Sequence, residues 1–301
     1  MSEFDFTNCP HLTTHAYSGA NGKKIAIEFE GSVWMLKFPP SAAEKPNELS
    51  YSNSAYSEHI GSTIYRLLGI EAQETRLGTH QNGNRKVVCA CKDFTVPGKR
   101  LLDFCSIKNS VLESSSGGTG TELPEVLESI EGQHFVDPST VLERFWEMFV
   151  VDAFIGNFDR HNGNWGFLVD DVTGKVSLAP VFDCGSCLLP QADETIMRKV
   201  ISDEAELKAR IYTFPASMLK QGGRKISYCE FFWTSDNPDF RRLLQKLSPR
   251  ILALDVESLI ADTPYLTALQ REFLKTYLNA RRRELFVRGA SKTGGCPECL
   301  I

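Results

Sequence analysis

Between Asp137 and Asp183 the hydrophobic pattern switches from a helical to an extended period across one short polar loop, and few folds accommodate that switch. Asp137-Pro138-Ser139 supplies a helix start, after which Leu142, Phe145, Trp146, Phe149, Val150, Ala153 and Phe154 recur at helical spacing. A buried helix with one apolar face is predicted, ending at Gly156-Asn157. Residues 165–169 then read as a strand, Asp170-Asp171-Val172-Thr173-Gly174 as a hairpin turn, and residues 175–180 as the returning strand. This unit puts Asp159 and Asn164 on one loop and folds Asp183, just past the second strand, back beside Asn164.

An acid, an amide five positions later and a second acid after a strand-turn-strand unit are the groups that magnesium-assisted phosphoryl transfer uses. One orients a hydroxyl and two offer oxygen to the metal on the phosphates. The Asp159 to Asn164 spacing equals the D-x-x-x-x-N of the protein-kinase catalytic loop. Asp, Asn and Gly also fill turns for local reasons, so these residues alone read equally well as turn formers. The remainder of the chain decides between the two.

At 301 residues and 42% hydrophobic content the chain is long enough for a sizeable core and two lobes. No stretch is long and apolar enough to span a bilayer, and no membrane association is expected. Met1-Ser2-Glu3-Phe4-Asp5 has neither the basic start nor the apolar run of a secretory signal, which favours the cytoplasm. Nine cysteines, an odd number, argue for reduced thiols over a disulfide framework. A formal charge of -5 gives no footprint for nucleic acid, and none is expected as a partner.

Toward the N-terminus, Ser18-Gly19-Ala20-Asn21-Gly22-Lys23-Lys24 is a small-residue loop that precedes two strands, residues 25–30 and 33–38. Small residues let backbone N–H groups approach phosphate oxygens, although such a loop before a hairpin is often only flexible. Lys37 stands in an otherwise apolar strand closed by Pro39-Pro40, where a buried ammonium needs an anion. A nucleotide phosphate and a carboxylate are both candidates, and Glu58 lies on the next predicted helix, residues 54–68. Residues 87–91 predict another buried strand ending at Cys91, with Lys92-Asp93-Phe94 after it as a hinge whose exposed backbone meets an adenine. His80-Gln81-Asn82-Gly83-Asn84 reads as a turn, and Ser114-Ser115-Ser116-Gly117-Gly118-Thr119-Gly120 as a mobile loop.

Taken in order, Ser18-Gly19-Ala20-Asn21-Gly22-Lys23, Leu36-Lys37-Phe38-Pro39, the Glu58 helix, Ala90-Cys91-Lys92-Asp93-Phe94, Asp159-Arg160-His161-Asn162-Gly163-Asn164 and Leu178-Ala179-Pro180-Val181-Phe182-Asp183 resemble the HipA-like serine/threonine kinases, in their compact form. The resemblance runs from about residue 17 to 190. It implies an α+β, two-lobed protein-kinase-like fold, with a small, mainly antiparallel β lobe to about residue 94, a larger, mainly helical lobe over 95–290, and a tail over 291–301. ATP and Mg2+ are the implied cofactors. Gly19, Ala20 and Asn21, with Ser18 beside them, fall in the phosphate loop, and Lys37 on the ATP phosphates. Asp159 matches the catalytic base, and Asn164 and Asp183 the magnesium ligands. His161 matches a family histidine beside the base, with a loop-shaping role as open as a chemical one. The implied partner is a protein offering a serine or threonine hydroxyl. The family toxin carries an extra N-terminal subdomain that helps hold its antitoxin, and here the phosphate loop begins close to Met1, which makes an antitoxin partner doubtful.

Farther on, Thr263-Pro264 predicts the start of a long helix carrying Leu266, Leu269, Phe273, Tyr277, Leu278 and Leu285, ended by Gly289. Arg281-Arg282-Arg283 reads as a solvated face. The pairs Cys184/Cys187 and Cys296/Cys299 total the ligands of a zinc site but read more readily as free thiols. Two other functions compete with a protein kinase: a small-molecule phosphotransferase of the aminoglycoside or choline kinase type, and a nucleotide-binding scaffold without turnover.

Overall fold

The computed structural model describes residues 3–15, 17, 23–39, 52–112 and 117–287. The small lobe is a five-stranded sheet built from β1 (Phe4–Asp5), β2 (Lys24–Phe29), β3 (Ser32–Lys37), β4 (Thr75–Asn82) and β5 (Asn84–Lys92), with helix α1 (Ser54–Leu67) between β3 and β4. The strand order is β1-β4-β5-β3-β2, antiparallel except for the β1–β4 pair. Glu30 and Gly31 both take positive φ and close the tight β2–β3 turn. Alternation sorts the two faces of the sheet. Trp34 and Leu36 point with Phe6, Ile27, Val88 and Ala90 into one small core. Met35 and Lys37 lie on the opposite face, toward α1.

Strand β6 (Lys99–Asp103) leads into the large lobe, which contains α2 (Phe104–Val111), α3 (Leu123–Gly132), α4 (Pro138–Ile155), β7 (Gly166–Asp170) and β8 (Val176–Leu178). β6, β7 and β8 form an antiparallel sheet. Next come α5 (Glu194–Ser202), α6 (Glu204–Tyr212), the hairpin of β9 (Lys220–Gln221) and β10 (Arg224–Lys225), α7 (Tyr228–Thr234), α8 (Pro238–Ala253), α9 (Val256–Asp262) and α10 (Ala268–Arg282). The main core gathers around α4 and takes in Ile60, Ile64 and Tyr65 of α1. Helix α1 therefore covers the small sheet while rooted in the large lobe. Among the described residues no helix is long and apolar enough to cross a membrane.

Several sequence expectations change. Helix α4 is buried nearly all round in its second half, since Met148, Val151, Asp152 and Ile155 are enclosed along with the predicted stripe. Residues 80–84 are mostly strand, with only Gly83, at φ +74°, making the turn. The last long helix starts not at Thr263-Pro264 but at Ala268, where Thr267 and Gln270 form a reciprocal capping box. Its predicted end at Gly289 lies outside the described residues. Arg281 is fully buried and donates to the Ala153 carbonyl, Arg282 donates to Leu254 O, and Arg283 pairs with Glu284. Arg281 and Arg282 thus close helix ends from the inside, and of the predicted solvated face only Arg283 remains exposed. Gly117–Thr119 is a turn held in place, because the Asn162 amide donates to Gly118 O and Gly120 O at 2.7 and 2.8 Å. The serines before it lie outside the described residues.

Candidate active site

The predicted acid-amide loop is shaped from beneath by α4. The helix ends at Gly156 in a left-handed cap, and the Asn157 N–H returns to the Asp152 carbonyl. The Asn157 side chain donates to Asp152 Oδ1 at 3.0 Å and accepts the Asp159 N–H at 3.1 Å, so its amide fixes where Asp159 leaves the turn. Asn164 donates its side-chain N–H to the Asp159 carbonyl at 2.9 Å, which leaves its amide oxygen for the cleft. His161 caps the short turn Asn162–Asn164, its Nδ1 accepting from Gly163 N at 3.1 Å. That bond is a loop-shaping contact.

Asp183 follows β8 in a left-handed conformation, φ +58°, that swings its carboxylate toward the small lobe. There Lys37 Nζ lies 2.9 Å from Asp183 Oδ1 and 2.9 Å from Glu58 Oε2. The other Glu58 oxygen accepts the Cys184 N–H at 3.2 Å. A Cβ on Gly185 would come within 3.0 Å of Glu58 Oε2, so the glycine lets this loop approach the helix. Burial opposes the Lys37 charge, but the Asp183 and Glu58 carboxylates outweigh it and hold its pKa well above the usual lysine value. Lys37 in turn holds Asp183 down at about 2, although 38% of that side chain remains exposed at the cleft. Asp159 moves the opposite way: burial raises it, against the pull of His161, and the Asp183 charge adds to the rise. Two neighbouring carboxyls are thus driven apart, one firmly ionised and one more basic.

These groups share a single cleft of about 560 Å³ between the sheet and the helical lobe, lined by Lys37, Glu58, Asp93, Asp159, His161, Asn164 and Asp183. Lys24, directly across from Lys37 on β2, lines it as well. Met35, Phe94, Leu101 and Phe182 give it an apolar end, where the Phe94 and Phe182 rings stand 5.6 Å apart. Ser18, Gly19, Ala20 and Asn21 lie outside the described residues. The flanking Tyr17 is tied to Asp93 by a 2.7 Å bond from its hydroxyl.

The hinge differs from expectation. Cys91 is buried in the central strand opposite Met35 and does not line the cleft, the Asp93 N–H donates to Val33 O, and the Lys92 carbonyl accepts from Gln73. The Asp93 N–H and the Lys92 carbonyl are thus taken by Val33 and the Gln73 side chain, and the Asp93 carboxylate anchors Tyr17 and caps Thr95 at the edge of the cleft. Cys184 and Cys187 are buried against Gly61, their thiol pKa values pushed up by burial, and the Cys187 thiol donates to Ser57 O. Cys296 and Cys299 lie outside the described residues.

Sequence reasoning gave no role to Arg160 or Asp152. The Arg160 Nε donates to the enclosed Asp152 carboxylate at 2.9 Å, beside bonds from Tyr65 and Asn157. An aspartate within the apolar run from Met148 to Ile155 was the signal, because a buried carboxylate requires a cation or several donors.

Asn164 and Asp183 offer only oxygen, from one amide and one carboxylate. A magnesium ion that takes its other ligands from phosphates and water is ordinarily held by such a pair, so the donor set fits. Fold and cleft together define a two-lobed phosphotransferase of the protein-kinase type. The chain belongs to the family of the HipA-like C-terminal domain, whose model matches residues 16–235. It is 43% identical over 286 residues to the serine/threonine-protein kinase CtkA of Helicobacter pylori strain J99, covering 95% of this chain and 87% of that protein. The crystal structure of the Helicobacter pylori proinflammatory kinase CtkA superposes with a TM-score of 0.86 at 39% identity, over 97% of this chain and 98% of the other.

Proposed function

We propose that this chain is a MgATP-dependent serine/threonine protein kinase. The observation that carries the reading is the convergence of Lys37, Glu58, Asp159, Asn164 and Asp183 on one cleft. Lys37, oriented by Glu58, meets the nucleotide phosphates. Asn164 and Asp183 hold magnesium, which neutralises charge on the phosphates when bound. Asp159, with its raised affinity for a proton, orients the acceptor hydroxyl and takes its proton as the oxygen bonds to the γ-phosphorus, while the bond from that phosphorus to the β,γ-bridging oxygen breaks and ADP leaves. The likeness to CtkA supports a protein hydroxyl as the acceptor.

Mass spectrometry of the purified protein incubated with MgATP and a mixture of candidate protein acceptors, beside an Asp183→Ala control, tests this reading. Phosphate on serine or threonine in the wild-type sample alone is expected. Nucleotide binding with no phosphoprotein would favour a small-molecule acceptor or a scaffold, and absence of nucleotide binding would remove the proposal.

A further inference from the structure

We infer that Arg160 is a positioning residue that sets the distance between the two magnesium-holding side chains, Asn164 and Asp183. The inference rests on the reading of those two residues as the metal ligands.

Arg160 is not among the residues that line the cleft, so its part in the reaction is indirect. Only 8% of its side chain is exposed, and each edge of the guanidinium is committed. Nε faces Asp152 Oδ2 at 2.9 Å, and Nη2 lies 3.4 Å from Asp152 Oδ1 and 3.6 Å from Cys184 Sγ. Nη1 donates to the Asn164 carbonyl at 2.8 Å and also to the Phe182 carbonyl. That single nitrogen joins the two loops that matter. One acceptor belongs to Asn164 itself, and the other to the residue immediately before Asp183.

The rest of the network makes this bridge rigid. Asp152 is 1% exposed within α4, and Tyr65 of α1 and Asn157 also donate to it. The plane of the guanidinium is therefore set by the core, and the two carbonyls are set by the guanidinium. A lysine ammonium could satisfy Asp152 or one carbonyl, but it lacks the planar fork that reaches all three. Two ligands of one small cation need a fixed separation, since magnesium demands near-ideal octahedral geometry. Asn164 ends the short turn Asn162–Asn164 and Asp183 lies in the loop beyond β8, so neither side chain is carried by a strand or long helix that would fix its distance from the other.

The test compares wild type, Arg160→Lys and Asp183→Asn by calorimetric titration with ADP, once in EDTA and once across a range of Mg2+. Arg160→Lys is expected to bind ADP in EDTA within about 2-fold of wild type, while the gain in affinity that Mg2+ confers falls by about 10-fold or more. Its half-saturating Mg2+ for phosphorylation should rise by a similar factor, with much of the rate restored at high Mg2+. An unchanged Mg2+ gain overturns the inference, as does equal loss of affinity with and without the metal, which would mark Arg160 as general structural support. Asp183→Asn separates the two levels: if it too keeps the full Mg2+ gain, the metal-ligand reading fails before the Arg160 inference is reached. Should Arg160→Lys not fold, Asp152→Asn takes its place, since it keeps the partner's shape while loosening the guanidinium. The same selective loss of the Mg2+ gain is expected of it, and an intact gain overturns the inference.

Discussion

The Lys37 ammonium and the Asp183 carboxylate meet at 2.9 Å across the cleft, joining the last residue of β3 to the loop beyond β8. Glu58 takes the other side of the same ammonium, so one cation ties the sheet, helix α1 and the Asp183 loop together. Replacing Lys37 by methionine leaves two carboxylates facing each other and removes the proposed phosphate contact. The phosphorylation rate should fall by about 10²–10³-fold, the range for loss of a preorganised electrostatic group. Steady-state kinetics of Lys37→Met would check this, and a rate near wild type would remove Lys37 from the phosphate site.

Glu58 acts through Lys37 and through the Cys184 N–H rather than on substrate. Glu58→Gln keeps the shape and one acceptor but removes the charge. A loss of about 10–100-fold is expected, as for other partners that orient a primary group. Because Asp183 still holds Lys37, the variant should fold normally by circular dichroism and retain ADP affinity within a few-fold. A Glu58→Gln protein with full activity would show that Asp183 alone suffices to orient Lys37.

Asp159 gives opposite predictions for rate and stability. Asp159→Ala should slow phosphoryl transfer by about 10²–10⁴-fold, the range for a positioned base. Its folded pKa lies above the ordinary 3.8, so the folded state binds the proton more tightly than the unfolded chain. Stability is then lost as pH rises from 3.8 through the folded value, and the ionised form is the strained one at neutral pH. Asp159→Asn should therefore melt at or above the wild-type temperature at pH 7, by about 1–3 °C, and the two should converge below pH 3.8. Melting curves at both pH values decide it, and a lower melting point for Asp159→Asn at pH 7 would contradict the direction of the shift.

Asp183 has the reverse linkage. Its pKa is depressed from 3.8 to about 2 by Lys37, so its contribution is present above pH 3.8 and is lost as pH falls toward 2. Lys37→Met should abolish that part of the acid dependence. Acid titrations of both proteins followed by tryptophan fluorescence would show the variant's stability falling less steeply between pH 4 and 2, and parallel curves would mean that the ion pair contributes nothing.

What the sequence made legible was whatever depended on local period. Lys37 follows Trp34 and Leu36 in a strand whose alternation fixes its face, and the helix, loop and hairpin around Asp159, Asn164 and Asp183 each carry their own start and stop residues. What stayed hidden depended on distant partners. The Asp93 N–H was expected at a ligand and goes to Val33 O, sixty residues earlier in the chain. Arg281 carries the charge of a surface residue, yet it caps the Ala153 carbonyl in the core. Arg160 sat inside the motif without a role because its acceptors come from Asp152, Asn164 and Phe182, which only the folded chain brings to one point.

The end of α4 shows how tightly the catalytic loop is bound to the core. Gly156 takes φ +67°, where a side chain costs about 1–2 kcal/mol, and a Cβ there would lie 2.2 Å from Tyr277 Oη and 2.9 Å from Pro215 Cγ. Strain and clash act together, so Gly156→Ala should destabilise by about 2–4 kcal/mol and lower the melting temperature by roughly 3–6 °C. Adding Tyr277→Phe removes the closest atom but neither the positive φ nor the proline contact, and should recover only part of the loss. Because Asn157 and Asp159 leave directly from this cap, the alanine variant should also lose activity at temperatures where it is still folded. Melting and rate measurements on the single and double variants separate the contributions. A Gly156→Ala protein as stable and active as wild type would mean that the helix can end in another geometry and still present Asp159 to the cleft.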